Sequence, residues 1–277
     1  MRLAITLILS VFLFIGLMSQ AQILAYDKND LKKLEQFKKN CPDCDLSGAN
    51  LKGANLRSAN LMNANLEGAD LRDADLEAAN LEKANLKGVN FDEANLKKAN
   101  LQEADMQNTY LRKTKLIRAY MMGANLQNAD LFQAELRGTV LKGANLKGAN
   151  LEKAHLMGAL LGFANLTKAR LHNADLYLAD LQGANLMGAD LSDANLMYAD
   201  FGGANLQNAD FHKAVLEQAY MQGDRSPDSY RHDASMRITY LNHYTNKVYF
   251  FGANFEGATW VNGDKCKKGS IGKCLLK

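Results

Sequence analysis

The sequence predicts an all-β solenoid, a chain wound into short stacked coils, and three observations predict it. From Leu46 to Met221 every fifth residue is Leu, Phe or Met without a slip, which makes 36 units in register. Two residues before each of these stands a small residue, Ala in 31 units and Cys44, Val89, Thr109, Thr114 or Thr139 in the rest, with Asn or Asp between the two in most units. No Pro occurs between Pro42 and Pro227. A five-residue period matches neither the 3.6 residues of a helical turn nor the alternation of an extended strand, so the chain must turn once per unit. A chain that makes one corner per unit and closes after four points every Leu and every Ala inward, where large and small side chains interdigitate. Backbone hydrogen bonds then run between successive coils, and a Pro in the stack would remove a donor.

The first residues read as an export signal. Arg2 supplies the charged start, an apolar run follows from Leu3 to Met18, and small residues at Ser19 and Ala21 place cleavage after Ala21. A run of sixteen residues falls short of the roughly 20 needed to span a bilayer as a helix. Residues 1–21 are therefore expected to be removed and the rest to be periplasmic or secreted. The competing reading is an uncleaved anchor, which would leave the same solenoid on a tether; membrane contact is expected through that anchor if at all. Residues 22–43 form a linker and a short N-terminal capping helix, because Leu31, Leu34 and Phe37 share one helical stripe within residues 30–39. Such a cap would cover the first coil, whose open edge invites pairing with another chain.

The repeat itself occupies residues 44–223. Its unit, as in Ala49-Asn50-Leu51-Lys52-Gly53, resembles the pentapeptide-repeat proteins over about two thirds of the chain. The resemblance implies a right-handed quadrilateral β-helix of twenty residues per coil, with the central Leu or Phe and the preceding Ala buried. On that basis the 36 units make nine coils, a body on the order of 43 Å long at roughly 4.8 Å per coil. Two flanking segments also look like ones found on similar bacterial members. They are Cys41-Pro42-Asp43-Cys44-Asp45-Leu46 before the coils, and Trp260-Val261-Asn262-Gly263 with the two late Cys after them.

The register breaks after Met221. Residues 224–247 form a Tyr-rich insertion, after which Phe250, Phe255 and Trp260 resume the five-residue spacing one residue out of phase. Residues 248–263 are expected to form a final partial coil, and 264–277 a Cys-containing tail. The four Cys fall in two close pairs, Cys41 with Cys44 and Cys266 with Cys274, which in an oxidising compartment read as two local disulfides. A redox motif would open a helix after a strand, whereas Cys44 stands at a core position of the first unit. A four-Cys zinc site would require the two pairs to meet across the whole solenoid.

Function classes narrow by elimination. The balance of 33 basic and 30 acidic residues gives +3, far from the basic excess that phosphate-backbone binding requires, so nucleic acid is not an expected partner. No two of His155, His172, His212, His232 and His243 share a metal-ligand spacing, and no nucleophile elbow or glycine phosphate loop occurs. No catalytic residue, cofactor or metal is therefore expected. Members of the resembled family associated with quinolone resistance are thought to imitate duplex DNA and occupy gyrase, and modulation of gyrase is the alternative role. Such mimicry needs a dense negative surface. Between Asp45 and Gly223 stand 21 acidic and 18 basic residues, nearly neutral.

A surface is the remaining candidate. Folded by twenties, Ile117, Met157, Tyr177 and Met197 take outward positions on one face, and Tyr120, Val140 and Leu160 stack at its edge where most units carry Asn or Asp. Phe163, Leu178 and Tyr198 lie close by. These ten residues make one contiguous apolar strip over coils four to eight, larger than the isolated apolar residues a monomer surface tolerates. The insertion could fold back over it, a second copy could pair with it, or a foreign protein or envelope ligand could dock there.

Overall fold

The computed structural model describes residues 39–221, 252–268 and 270. The signal segment, the capping helix, the Tyr-rich insertion and Cys274 lie outside the described residues. Within them the chain repeats one motif, a two-residue turn followed by a single bridge residue, every five residues from Asn40 to Tyr220. Each bridge between residues 40 and 220 is parallel and joins residues twenty apart, as in Asn60 with Asn80 and Asn65 with Asn85. Four turns and four bridges thus complete each twenty-residue coil of a β-helix, and no helix occurs among the described residues. Coils are counted from Leu46, and the four units of a coil define faces one to four, centred in the first coil on Leu46, Leu51, Leu56 and Leu61.

The sequence makes this winding self-sufficient because, in a unit that carries Asn or Asp before its central residue, every backbone N–H finds a partner. In the unit centred on Leu66, the Leu66 N–H donates to the Asn85 carbonyl at 2.8 Å and Gly68 N–H to Lys87 at 2.8 Å. Ala69 N–H closes the turn onto the Leu66 carbonyl at 2.9 Å, and Asp70 N–H reaches back one coil to Ala49 at 2.9 Å. The fifth donor, Glu67 N–H, is taken by Asn65 Oδ1 at 3.3 Å. That last bond is why Asn or Asp precedes the central residue: a short side-chain carbonyl accepts from the backbone two residues on, as in an Asx turn.

The same Asn side chains also stack along the axis. On face one, Asn145 Nδ2 donates to Asn125 Oδ1 at 2.9 Å, and Asn165 Nδ2 to Asn145 Oδ1 at 3.2 Å. With Lys147 N–H donating to its Oδ1 as well, Asn145 carries three bonds. Asn145→Ala is expected to cost about 1–2 kcal/mol, read as a lower midpoint in urea unfolding, because each net bond contributes about 0.5–1.5 kcal/mol and the turn amide stays partly solvated.

Inside, the central Leu and Phe and the small residue before them are buried almost without exception. Thr fits where Ala is usual because its hydroxyl finds a main-chain acceptor: Thr109 Oγ1 bonds the Met106 carbonyl, Thr114 that of Phe91 and Thr139 that of Leu116, each at 2.8 Å.

Both ends of the described stack are finished. At the start, Cys41 and Cys44 lie buried with their Cα atoms 5.5 Å apart and their sulfurs in disulfide geometry. At the far end Asp210 pairs with Asn254 and Val215 with Thr259, an offset of 44 residues that is one twenty-residue coil plus 24 inserted residues. Residues 252–261 therefore begin a tenth coil. Its outer edge is covered by the chain turning back: Trp260 N–H donates to Asp264, Gly257 to Cys266 and Phe255 to Ser270. This removes the open row of donors that would otherwise template another chain. Phe211 stacks on Phe255 with ring centroids 5.0 Å apart, and Trp260 meets Phe255 edge-on at 5.0 Å.

Candidate functional surface

None of the ten residues of the predicted strip is buried. Ile117, Val140, Tyr177 and Met197 are half-buried; Tyr120, Met157, Leu160, Phe163, Leu178 and Tyr198 are exposed, with Phe163 67 %, Leu178 54 % and Tyr120 52 % accessible. The coils bring nine of them together on face three and on the edge it shares with face four, and Phe163 stands in the turn that follows on face four. Bridges join Tyr120 to Val140 and Val140 to Leu160, and Tyr177 meets Tyr198 edge-on with centroids 5.6 Å apart. Met122, exposed on face four one turn from Tyr120, extends the patch beyond the sequence reading. Tyr110 and Met187, also exposed, stand on other faces and do not.

Two costs are concentrated in this strip. The first is the turn bond. Every Asn or Asp before a central residue from Asp45 to Asp210 accepts the N–H two residues on, whereas ten of the 36 units lack such a residue. Six of those ten lie in three adjacent coils and flank face three on both sides: Lys115, Glu135 and His155 on one edge, Tyr120, Val140 and Leu160 on the other. Among the described residues no acceptor is within reach of the N–H groups of Met122, Lys142 and Gly162, the last of which is a buried residue. A turn amide left without its side-chain acceptor forfeits about 1 kcal/mol.

The second cost is backbone strain. The last residue of each turn adopts the left-handed conformation, and Gly, Asn or a long polar residue fills it in most units. Phe163, Leu178 and Tyr198, with φ of 58°, 57° and 59°, are the only large apolar or aromatic side chains held there among the described residues. All three belong to the strip. The Phe163 ring lies over Gly183 one coil on, where a Cβ would come within 2.6 Å of it and push it aside. Left-handed backbone disfavours bulky L residues by roughly 1–2 kcal/mol each. Stability is thus forgone repeatedly in one place, the pattern expected where a surface serves something other than folding.

Electrostatics separate this region from the first coils. There the charges are paired: Arg57 bonds Asp75 at 3.1 Å and Glu77 at 2.7 Å, and Arg72 bonds Asp70 at 2.6 Å. These guanidinium contacts hold the Glu77 and Asp70 carboxyls below the usual carboxylate range.

The histidines gather into no comparable centre. His172 and His212 lie two coils apart on face two with Ser192 between them. His172 Nδ1 is 2.9 Å from Ser192 Oγ, whose own proton goes to Asp190 Oδ1 at 2.5 Å, and Asp193 lies 3.7 Å from the ring. No group of three or more metal-ligating side chains occurs among the described residues. Disulfide geometry at Cys41 and Cys44 is part of the fold, and the second predicted pairing involves Cys274, outside the described residues.

Comparison with known proteins adds three findings. A family model described as pentapeptide repeats matches in eight copies over residues 40–77, 74–112, 119–156, 154–193 and 194–223. No curated protein matches the chain. Among solved structures, the chain is similar to HetL, a pentapeptide repeat protein involved in heterocyst differentiation regulation in the cyanobacterium Nostoc sp. strain PCC 7120. The identity is 30 %, covering 87 % of this chain and all of HetL, with a TM-score of 0.73. It also matches a pentapeptide repeat protein of the Arabidopsis thaliana thylakoid lumen at 30 % identity over 44 % of this chain and 69 % of that one, TM-score 0.22. The match to QnrB1, a plasmid-mediated fluoroquinolone resistance protein, is 20 % identical over 66 % and 89 % of the two chains with a TM-score of 0.31, and carries no argument about role.

Proposed function

The chain belongs to the pentapeptide-repeat family, whose members fold as right-handed β-helices, and on that premise we propose that it is a non-enzymatic exported scaffold acting by contact. One observation carries the reading: the coils around face three give up turn bonds and accept strained backbone in order to present apolar side chains to solvent. A rigid face suits binding because little ordering entropy opposes association. The four faces are read as the sides of a quadrilateral body, and face three as the side that meets a partner or a second copy. Export follows from the N-terminal apolar run, and in an oxidising compartment the Cys41–Cys44 pair acts as a staple at the first coil. Modulation of gyrase in the manner of the quinolone-resistance members finds no support in a coil region carrying 21 acidic and 18 basic residues.

Two measurements test the proposal. Mass spectrometry of the protein recovered from the envelope fraction is expected to place its first residue at Gln22; recovery of the full chain from cytoplasm overturns the exported role. Co-purification from that fraction is expected to yield a partner, or a dimer, that is lost in Met157→Asp/Tyr177→Asp. A partner equally retained by this variant removes face three from the role.

A further inference from the structure

Face three is divided along its length. In coils three to five it carries Lys97, Lys98, Lys115, Arg118 and Arg137 against a single carboxylate, Glu135. In coils six to eight its outward positions are Met157, Tyr177, Leu178, Met197 and Tyr198, with Leu160 and Phe163 beside them. Four of the five cations, Lys98, Lys115, Arg118 and Arg137, are exposed. Arg137 lies 3.6 Å from Glu135, whereas among the described residues Lys97, Lys98, Lys115 and Arg118 have no ion pair. Most basic residues of the first four coils do have one, among them Lys52, Arg57, Arg72, Lys83, Lys87, Arg112 and Lys113. A sixth cation, Lys142 on face four, sits 5.9 Å from the centre of the Phe163 ring. A chain that is nearly neutral as a whole thus sets four cations without an ion pair beside its apolar strip; Lys147 and Lys168 on face one, which also have none among the described residues, adjoin no such strip.

We infer that face three, with the side of face four that adjoins it, docks on an anionic lipid bilayer surface, with the exposed apolar and aromatic side chains entering the headgroup boundary and the cations meeting lipid phosphates. The inference rests on the scaffold reading above and names what the scaffold meets. A second copy is a poor occupant. Pairing two such faces antiparallel lays the cations of one on the apolar band of the other, and pairing them parallel sets cation against cation. A protein partner fits less well than lipid, because Lys is depleted in protein interfaces. The mixture of Tyr, Phe and Leu with Lys and Arg is the one favoured at membrane–water boundaries, where each Lys or Arg adds attraction to anionic lipid. Six coils at roughly 4.8 Å spacing give a row of about 24 Å along the axis, on face three and the adjoining side of face four. The sequence reading expected membrane contact only through the N-terminal segment. It missed the cations because folding by twenties was used to align the apolar outward positions, and the charges were counted only in sum.

Sedimentation with vesicles tests it. The purified protein is expected to bind vesicles of equimolar phosphatidylglycerol and phosphatidylcholine, to bind pure phosphatidylcholine at least about tenfold more weakly, and to be released by salt. Lys98→Glu/Lys115→Glu/Arg118→Glu is expected to lower the partition coefficient at least about tenfold, and Phe163→Asn/Leu178→Asn to lower it comparably. Lys147→Glu/Lys168→Glu, on face one, should stay within about twofold of the parent. Melting curves establish that all three variants fold. Binding that survives both the cation variant and the apolar variant is driven by another segment and overturns the inference, as does equal loss in the face-one variant. So does a dimer that dissociates in Phe163→Asn/Leu178→Asn without any vesicle binding. If vesicles are not bound while an envelope partner still co-purifies, the lipid inference falls and the scaffold stands; vesicle binding by a protein recovered only from cytoplasm would do the reverse.

Discussion

Phe211→Ala is expected to cost about 3–5 kcal/mol and to release the C-terminal turn before the rest of the solenoid unfolds. Phe211 is fully buried in the ninth coil, edge-on to Phe201 at 6.2 Å and stacked on Phe255 at 5.0 Å. Removing its ring takes away the floor on which the tenth coil is laid, since Phe255 reaches the body across an insertion and not through a continuous coil. Stacked repeats contact only their neighbours, so damage at one level need not spread along the axis. Trp260, the only Trp in the chain, packs edge-on against Phe255 and reports this level alone. In urea, the variant's Trp fluorescence should therefore change at a lower concentration than its far-ultraviolet circular dichroism. Phe91→Ala, an equally buried ring in the third coil, should lower the circular-dichroism midpoint without bringing the Trp signal ahead of it. Coincident transitions in Phe211→Ala would mean that the terminal turn is held by its backbone bonds, and that the aromatic column is incidental.

How much of the molecule is readable before the chain is wound depends on what a period encodes. Leu66, Ala69 and Leu71 declare their inward direction by spacing, because a side chain repeated every fifth residue must meet its copies if the chain turns once per unit. The reason for Asn65 is not in the period. That its Oδ1 holds the Glu67 amide while its Nδ2 bonds Asp45 Oδ1 needs the turn geometry and the coil below. The strip was legible for the opposite reason: Tyr120, Val140 and Leu160 break the pattern at one phase in three successive coils, and folding by twenties aligns them. Its cost was not legible, since φ at Phe163 or Leu178 is a property of the corner they occupy. The cation band was hidden by the even mixture of charge along the chain. Lys98 and Arg118 become neighbours on one face only when twenty residues make a coil.

Exchanging Phe163, Leu178 and Tyr198 together for Asn is expected to stabilise the protein, by about 2–3 kcal/mol in total, while removing the use of face three. Each of these corners is left-handed, where Asn is tolerated and a bulky apolar residue is disfavoured by roughly 1–2 kcal/mol. Some side-chain packing is surrendered in return. Leu178 has the least to lose, more than half its surface being in water. Tyr198 gives up its edge-on packing with Tyr177, of the order of 0.5–1.5 kcal/mol. Phe163 gives up its cover over Gly183 and its place beside Lys142. Asn already serves at the same turn position in Asn108, Asn128, Asn173 and Asn208, with φ of 56–57°, so the exchange asks nothing new of the backbone. Thermal and urea unfolding of the triple variant, set beside the parent, decide the matter. A stabilised protein that no longer binds shows side chains kept against the interest of the fold, which only an external contact explains. A destabilised one shows that the three residues cover and support the coils beneath them; the strip is then part of the structure's own surface, and a partner has to be sought on another face.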